Sequence, residues 1–400
     1  MSLLKKFEVH ARTRDSLLEH GILPFGVVTD EILSPTEGIV GGRKTILAGT
    51  NNYLGLTFDP GCIEAAKKAL DEEGTGTTGS RMANGTYGGH VALEHELAEF
   101  FDRDHALVFT TGFLATMGMV STLAGRDDVL LIDGDCHASI YDGCRLSGAD
   151  IVRFRHNDPA DLEKRIKRLG ERSKNTLIVA EGLYSMLGDQ APLRDIVDIK
   201  EEFGACLLLD EAHSVGIFGE RGRGLAESEG VEDKVDFVVG TFSKSLGSVG
   251  GFCVSNHPEL DLVRFAARSY IFTASPTPSV IASTRASLKL VESAGHLRDQ
   301  LWRNSTQLYD GLTEAGFELG PQVGPVVAVF VDQPDLAINW WHDLLESGVY
   351  VNLVIPPATP GNKSLLRCSL SAAHSSEQIA RIVDAFAALA SDRRIAGSSA

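Results

Sequence analysis

At 400 residues the chain can bury one large core or two to three intimate ones, and its 43% apolar and 23% charged content is that of a globular protein. A net charge of −17, from 54 acidic against 37 basic residues, argues against a general nucleic-acid binder, which presents a basic face. Six scattered cysteines without a Cys-x-x-Cys pair argue against a zinc site or disulfide framework and point to a reducing, cytoplasmic compartment.

The opening MSLLKKFEVHARTRDSLLEHG lacks a signal-peptide core and is expected to form an amphipathic helix. With the short strands after it, this makes residues 1–50 a distinct N-terminal part. No run approaches the roughly 18 apolar residues of a membrane span. The acidic run Asp71-Glu72-Glu73 suits a solvated helix end. The basic clusters Arg153-Phe154-Arg155-His156 and Arg221-Gly222-Arg223 could dock phosphates, with a solvated surface as the default reading.

From residue 51 to about 285, short apolar runs alternate with amphipathic segments. The runs are HALVFTTGF, DVLLIDGDCH, NTLIVAEGLYS, ACLLLDEAHS and VDFVVGTFSK; PADLEKRIKRLGE and PLRDIVDIKEEFG lie between them. Buried, non-alternating strands separated by helices predict an α/β unit with a mostly parallel central sheet sandwiched by helices. Beyond about 285, a long helical stretch leads into VVAVFVD and LLRCSLS, and residues 286–400 read as a smaller C-terminal α+β domain. The tail SDRRIAGSSA is expected to fray.

Ligands of open α/β sheets collect beyond the carboxyl ends of the strands. The residues there are Thr111-Gly112-Phe113, His137, Glu181, Ser185, Asp210, His213, Thr241, Ser243 and Lys244. A strand running into a helix at Gly112 exposes main-chain N–H groups that suit a phosphate. Thr241 and Ser243 add hydroxyls beside Lys244. A phosphate next to a lysine suggests a phosphorylated carbonyl cofactor held as a Schiff base, and pyridoxal 5'-phosphate fits. Asp210 supplies the carboxylate that such a cofactor needs at its pyridine nitrogen. His213 suits the ring hydroxyl and His137 the ring face. Either histidine alone would more often be structural; the joint pattern reverses that.

Two rival readings fail on their missing parts. Asp210-Glu211-Ala212-His213 spells a helicase DEAH box, but the chain contains no Gly-Lys dipeptide and so no phosphate loop. A serine hydrolase lacks its G-x-S-x-G elbow. A non-catalytic subunit of the same fold is disfavoured by Lys244.

The strings NNYLGL, GTGTTGSRMANGTYGGHVALE, DCHASIYDG, EGLYSMLGD, DEAHS, GTFSKSLG, YIFTASPTPS, PPATP and LLRCS span about Asn51 to His374. Together they resemble the α-oxoamine synthase family of fold-type I pyridoxal-phosphate enzymes, which condense an amino acid with an acyl thioester and release carbon dioxide. The resemblance implies that Lys244 is the Schiff-base lysine and the base at the substrate Cα. Asp210 pairs with the ring nitrogen, His213 and Ser185 approach the ring oxygen, and His137 stacks on the ring. Gly112, Phe113, Thr241 and Ser243 bind the phosphate. Thr273 and Ala274 reach the phosphate of a second subunit, which makes the enzyme a homodimer with shared active sites. Arg367 and His137 hold the substrate carboxylate, and Asn52 lies near the substrate.

Ser243 and Ser245 around the lysine, GSRMANGT, HASIYDG and IFTAS resemble the serine-using, long-chain branch of that family. They imply L-serine and a long-chain acyl group such as palmitoyl, carried on coenzyme A or an acyl carrier protein. Serine-using members carry Arg immediately before Pro-Pro-Ala-Thr-Pro; here the residue is Ile355. The sister activities, 2-amino-3-ketobutyrate ligase, 8-amino-7-oxononanoate synthase and 5-aminolevulinate synthase, share the core chemistry. The resemblance leaves peripheral contact with the inner membrane open.

Overall fold

The computed structural model describes residues 3–19, 24–293, 295–356, 358–359 and 363–397. Near the N-terminus, β1 (Thr29–Ser34), β2 (Glu37–Val40) and β3 (Arg43–Leu47) form an antiparallel meander. A second sheet is built from β4 (His105–Phe109), β5 (Val129–Asp133), β6 (Asp150–Phe154), β7 (Thr176–Glu181), β8 (Cys206–Asp210), β9 (Phe237–Thr241) and β10 (Gly251–Ser255). Its order is β4-β10-β9-β8-β7-β5-β6. The pairs β5/β6, β5/β7, β7/β8 and β8/β9 are parallel, and β10 runs antiparallel to both neighbours.

The five apolar runs are β4, β5, β7, β8 and β9. Every residue of β5, β7 and β9 is buried, which is why these strands do not alternate. The helices Gly112–Leu123, Ala138–Ser147, Pro159–Lys167 and Leu193–Phe203 follow β4, β5, β6 and β7. Leu107, Met119, Leu130, Val179, Leu208 and Val239 meet in one core. Burying each such side chain contributes about 1.5–3 kcal/mol. Two strands escape the sequence pattern. β6 is a largely exposed edge strand, and β10 begins in a glycine run.

The strands that follow are β11 (Val326–Val331), β12 (Val349–Tyr350), β13 (Asn352–Val354) and β14 (Ser364–Ser369). β11, β14 and β13 form an antiparallel sheet, and β12 adds to β3 in parallel. The described chain divides into two compact units. One is Asn51–Arg303 with Ser371–Ala373; the other takes the described residues of Met1–Thr50, Asn304–Leu370 and His374–Ala400. The change of unit therefore falls inside the helix Gly295–Glu314 rather than near residue 285, and the described residues of 1–50 join the C-terminal unit. The helix Pro278–Ser293 packs on Pro60–Glu73 and Gly88–Phe101, which draws it into the larger unit. Periodicity announces such a helix but not the core it faces. The last helix, Ser376–Gly397, runs into the segment expected to fray; residues 398–400 lie outside the described set. Among the described residues no helix is long and apolar enough to cross a membrane.

β10 starts against the turn that leaves β4. A Cβ on Gly251 would meet Gly112 Cα and Thr111 O, both at 2.6 Å, and main-chain atoms cannot swing aside. Gly251→Ala should therefore cost about 1–3 kcal/mol by overpacking, read as a lowered Tm in thermal unfolding. A wild-type Tm would show that the turn yields.

Candidate active site

The parallel register delivers the site. Glu181 ends β7, Asp210 ends β8, and the two are direct register partners. Adjacent strands lie about 4.8 Å apart, so two carboxylates stand side by side in a buried setting. Asp210 Oδ2 accepts the Thr116 hydroxyl at 3.0 Å, and its Oδ1 accepts the Ala212 N–H at 2.9 Å. Glu181 Oε1 accepts the main-chain N–H of His137. Burial, and then the charge of Asp210, push Glu181 well above the usual carboxylate range.

Next to them is a corner suited to an anion. Thr111 caps the helix Gly112–Leu123, accepting the Leu114 N–H at 3.1 Å. The N–H groups of Gly112 and Phe113 have no carbonyl within the helix to bond. Thr241 closes the corner: a Cβ on Gly112 would lie 2.7 Å from Thr241 Cβ and Oγ1. Thr241 Oγ1 is 2.8 Å from Ser243 Oγ and donates to Gly250 O at 3.0 Å. Lys244 is half-buried, and its carbonyl accepts the Gly247 N–H at 2.9 Å in the turn that follows.

His137 caps the helix Ala138–Ser147. Its Nδ1 accepts the Ser139 N–H at 3.3 Å and lies 2.8 Å from Ser139 Oγ. A ring nitrogen that accepts carries no proton, so the imidazole is the Nε2–H tautomer. Burial lowers the His137 pKa; Lys244 adds to this, and Asp210 opposes it. The Phe113 ring stands edge-on to His137, 6.2 Å between centroids. His213 Nδ1 is 2.7 Å from the hydroxyl of the fully buried Tyr53.

A cavity of about 280 Å³ gathers these groups. Of the residues singled out in the sequence, Gly112, Phe113, His137 and Asp210 line it, as do His213, Thr241, Ser243 and Lys244. Ser185 is half-buried in the turn between Tyr184 and Gly188 and does not line it. Asn52 donates to Thr57 Oγ1 at 2.7 Å, and its buried Oδ1 has no hydrogen-bond partner among the described residues. Ala274 O accepts the Thr110 hydroxyl at 2.6 Å; Thr273 precedes it, half-buried. Arg367 belongs to the other unit, buried on β14, where its Nη1 donates to Ser369 Oγ at 2.6 Å. Ile355, also there, follows β13 and accepts the Ala358 N–H at 3.1 Å. Pro357 and Pro360 of the Pro-Pro-Ala-Thr-Pro string lie outside the described residues.

The sequence profile of the aminotransferase class I and II family matches residues 43–386. The chain belongs to that family. It is 55% identical over 383 residues to a serine palmitoyltransferase of Caulobacter vibrioides, covering 95% of each chain. Its fold superposes on a serine palmitoyltransferase (SPT) of Sphingomonas wittichii with a TM-score of 0.96 at 51% identity, covering 99% of this chain and 100% of that one. An SPT structure with PLP internal aldimine gives a TM-score of 0.95 at 48% identity, over 97% and 98% of the two chains. The architecture is thus the fold-type I pyridoxal-phosphate transferase fold that the resemblance implied.

In this aminotransferase-family site, three contributors were not singled out in the sequence. Thr116 lies four residues beyond Gly112, one helical turn along the same face, and reaches Asp210. Ser139 orients His137 from within the HASIYDG string. Tyr53, inside NNYLGL, reaches His213 across 160 residues of chain, a pairing that no local spacing encodes.

The lowered His137 pKa has a direct check. In NMR titration of the protein its imidazole should titrate below 6.5, its ordinary value. A value above 6.5 would mean that the Asp210 charge outweighs burial.

Proposed function

We propose that the chain condenses L-serine with a long-chain acyl thioester, palmitoyl-CoA or the same acyl group on an acyl carrier protein. Carbon dioxide and the thiol leave, and 3-ketodihydrosphinganine forms, the first step of sphingolipid synthesis. The observation that carries this reading is one cavity holding the Lys244 amine, the Asp210 carboxylate and the Gly112/Thr241/Ser243 corner. The identity to serine palmitoyltransferases supports the choice of serine and a long acyl group.

The donor set fits pyridoxal phosphate. Hydroxyls and a helix N-terminus suit its phosphate, a buried carboxylate suits its ring nitrogen, and an amine suits its carbonyl. When bound, the cofactor supplies an electron sink for the pair left at the substrate Cα. Lys244 would hold the cofactor carbonyl and would be the base that takes and returns the proton at the serine Cα. Asp210 keeps a proton on the ring nitrogen; Thr116 and Ala212 fix the carboxylate for that task. Gly112, Phe113, Thr241 and Ser243 hold the phosphate. His213, held by Tyr53, and Ser185 address the ring oxygen. His137, neutral with its proton on Nε2, covers the ring and shares the serine carboxylate with Arg367. With Ile355 where the branch carries arginine, that carboxylate depends on these two. The orphan Asn52 Oδ1 is an acceptor for the substrate.

Thr273 and Ala274 serve a second copy of the chain in this reading, so the enzyme is a homodimer. Phe272, which adjoins Thr273, is 72% exposed and supports it, since so exposed an aromatic ring calls for a cover.

Two experiments test the proposal. Product mass and carbon dioxide release, measured with serine, glycine and alanine against short and long acyl thioesters, should favour serine and long chains. Binding should weaken by about 0.8 kcal/mol per methylene removed. Preference for glycine or alanine, or for a short or dicarboxylic acyl group, assigns a sister activity. Borohydride reduction of the pyridoxal-phosphate-loaded protein followed by peptide mapping should label Lys244, and Lys244→Ala should lower kcat by at least about 10²–10⁴-fold. A label on another lysine refutes the assignment.

A further inference from the structure

Beyond the cavity wall, two loops that carry assigned residues are tied together by a third. His156 follows β6 and sits between two carboxylates. Its Nδ1 is 2.8 Å from Asp133 Oδ1, and its Nε2 is 2.7 Å from Asp189 Oδ2. Asp133 is fully buried and Asp189 nearly so. Each ring nitrogen faces an acceptor, so both carry protons and the ring is an imidazolium. Burial opposes that charge, but the hydrogen bonds to Asp133 and Asp189 outweigh it and push the pKa up to about 10. Around the trio also lie Asp135, Cys136, Tyr141, Asn157, Glu181 and the Tyr184 ring, which stands edge-on to His156 at 4.5 Å. Asn157 reinforces both arms: its N–H donates to Asp133 Oδ2 at 2.9 Å and its side-chain amide to Asp189 Oδ2 at 2.7 Å.

Each arm leads to an assigned residue. Asp133 ends β5, and its Oδ1 also takes the Asp135 N–H at 2.8 Å, which shapes the three-residue link to His137. Asp189 closes the turn that contains Ser185: Tyr184 N–H donates to Asp189 O at 2.8 Å and Gly188 N–H to Tyr184 O at 3.0 Å. His156 itself does not line the cavity. We propose that Asp133, His156 and Asp189 form a charged clamp that positions His137 and Ser185 relative to each other, with His156 as its positioning residue. This deepens the functional reading above and rests on it for the roles of His137 and Ser185. Without the imidazolium, two buried carboxylates keep only the neutral donors of Asp135 and Asn157 and lose the positive charge between them. Their repulsion and desolvation drive the two loops apart.

The test compares His156→Gln and Asp189→Asn with wild type, all loaded with pyridoxal phosphate. Hydrogen exchange followed by mass spectrometry should speed up in residues 134–137 and 184–190 for His156→Gln, and in 184–190 for Asp189→Asn. The visible circular dichroism of the bound cofactor should change in both, and kcat/KM for serine should fall about 10–100-fold, the size seen when residues that orient metal ligands are lost. Exchange and dichroism need no acyl substrate, so they judge the clamp even if the condensation reading fails. Wild-type exchange in both segments with unchanged dichroism, whatever the Tm, overturns the proposal. If His156→Gln does not fold, Asp189→Asn decides, because it keeps the His156–Asp133 pair. The charge has its own signature. A histidine whose pKa is raised on folding stabilises fully below its ordinary 6.5 and loses that contribution as pH rises through about 10. The Tm gap between wild type and His156→Gln should therefore shrink from pH 6.5 to 10, and a constant gap overturns the charged clamp.

Discussion

Two carboxylates forced into register are the constraint around which this site is organised. Parallel pairing of β7 with β8 sets Glu181 beside Asp210 at the sheet edge, both nearly inaccessible. Like charges so close in a buried setting do not both ionise without partners. The fold resolves this asymmetrically. Asp210 receives a hydroxyl and a main-chain N–H, while burial pushes Glu181 toward its protonated form. Glu181 then serves as a rigid acceptor that fixes the start of the His137 loop. One pair thus separates an electrostatic task from a positional one.

The anion corner depends on a different economy, the absence of side chains. Gly112 and Gly251 let the turn after β4, the start of β10 and Thr241 approach to within van der Waals contact. The antiparallel β10 is what closes this contact, since it brings its first residue to the same edge where the parallel strands end. A sheet of parallel strands alone would leave that side of the corner open to water.

Motifs far apart in the chain meet for equally specific reasons. Thr77 Oγ1 lies 2.6 Å from Ser275 Oγ, and Ser275 N–H donates to Gly79 O at 2.9 Å, so the GTGTTGSRMANGT and IFTAS strings dock on one another. Arg81 is buried beside Glu94 at 3.0 Å and also donates to Thr86 Oγ1 and Val108 O. Removing Glu94 would leave the buried Arg81 guanidinium without its carboxylate, at about 3–5 kcal/mol. These contacts hold the Thr273–Ala274 segment beside the end of β4.

The sequence by itself determined the strands and which polar residues stand beyond their ends. Runs such as CLLLD and FVVGT are too apolar to be anything but buried, and a carboxylate or hydroxyl that terminates such a run must emerge at the sheet edge. That logic reached Asp210, Thr241 and Lys244 without coordinates. It could not reach the contact between Tyr53 and His213, which spans 160 residues, nor the clamp at His156, which reads in sequence as one more residue of a basic surface cluster. Nor could it assign Glu211, beside Asp210 in the DEAH string. Its carboxylate turns away to accept the Leu225 and Ala226 N–H groups at 3.0 and 2.9 Å, and burial raises its pKa to about 7. Residue type and local period fix what a side chain can do and which face of its strand it takes. Which partner it meets is decided by strand order and loop packing, because hydrogen bonds act over about 3 Å and that distance exists only once the chain has closed.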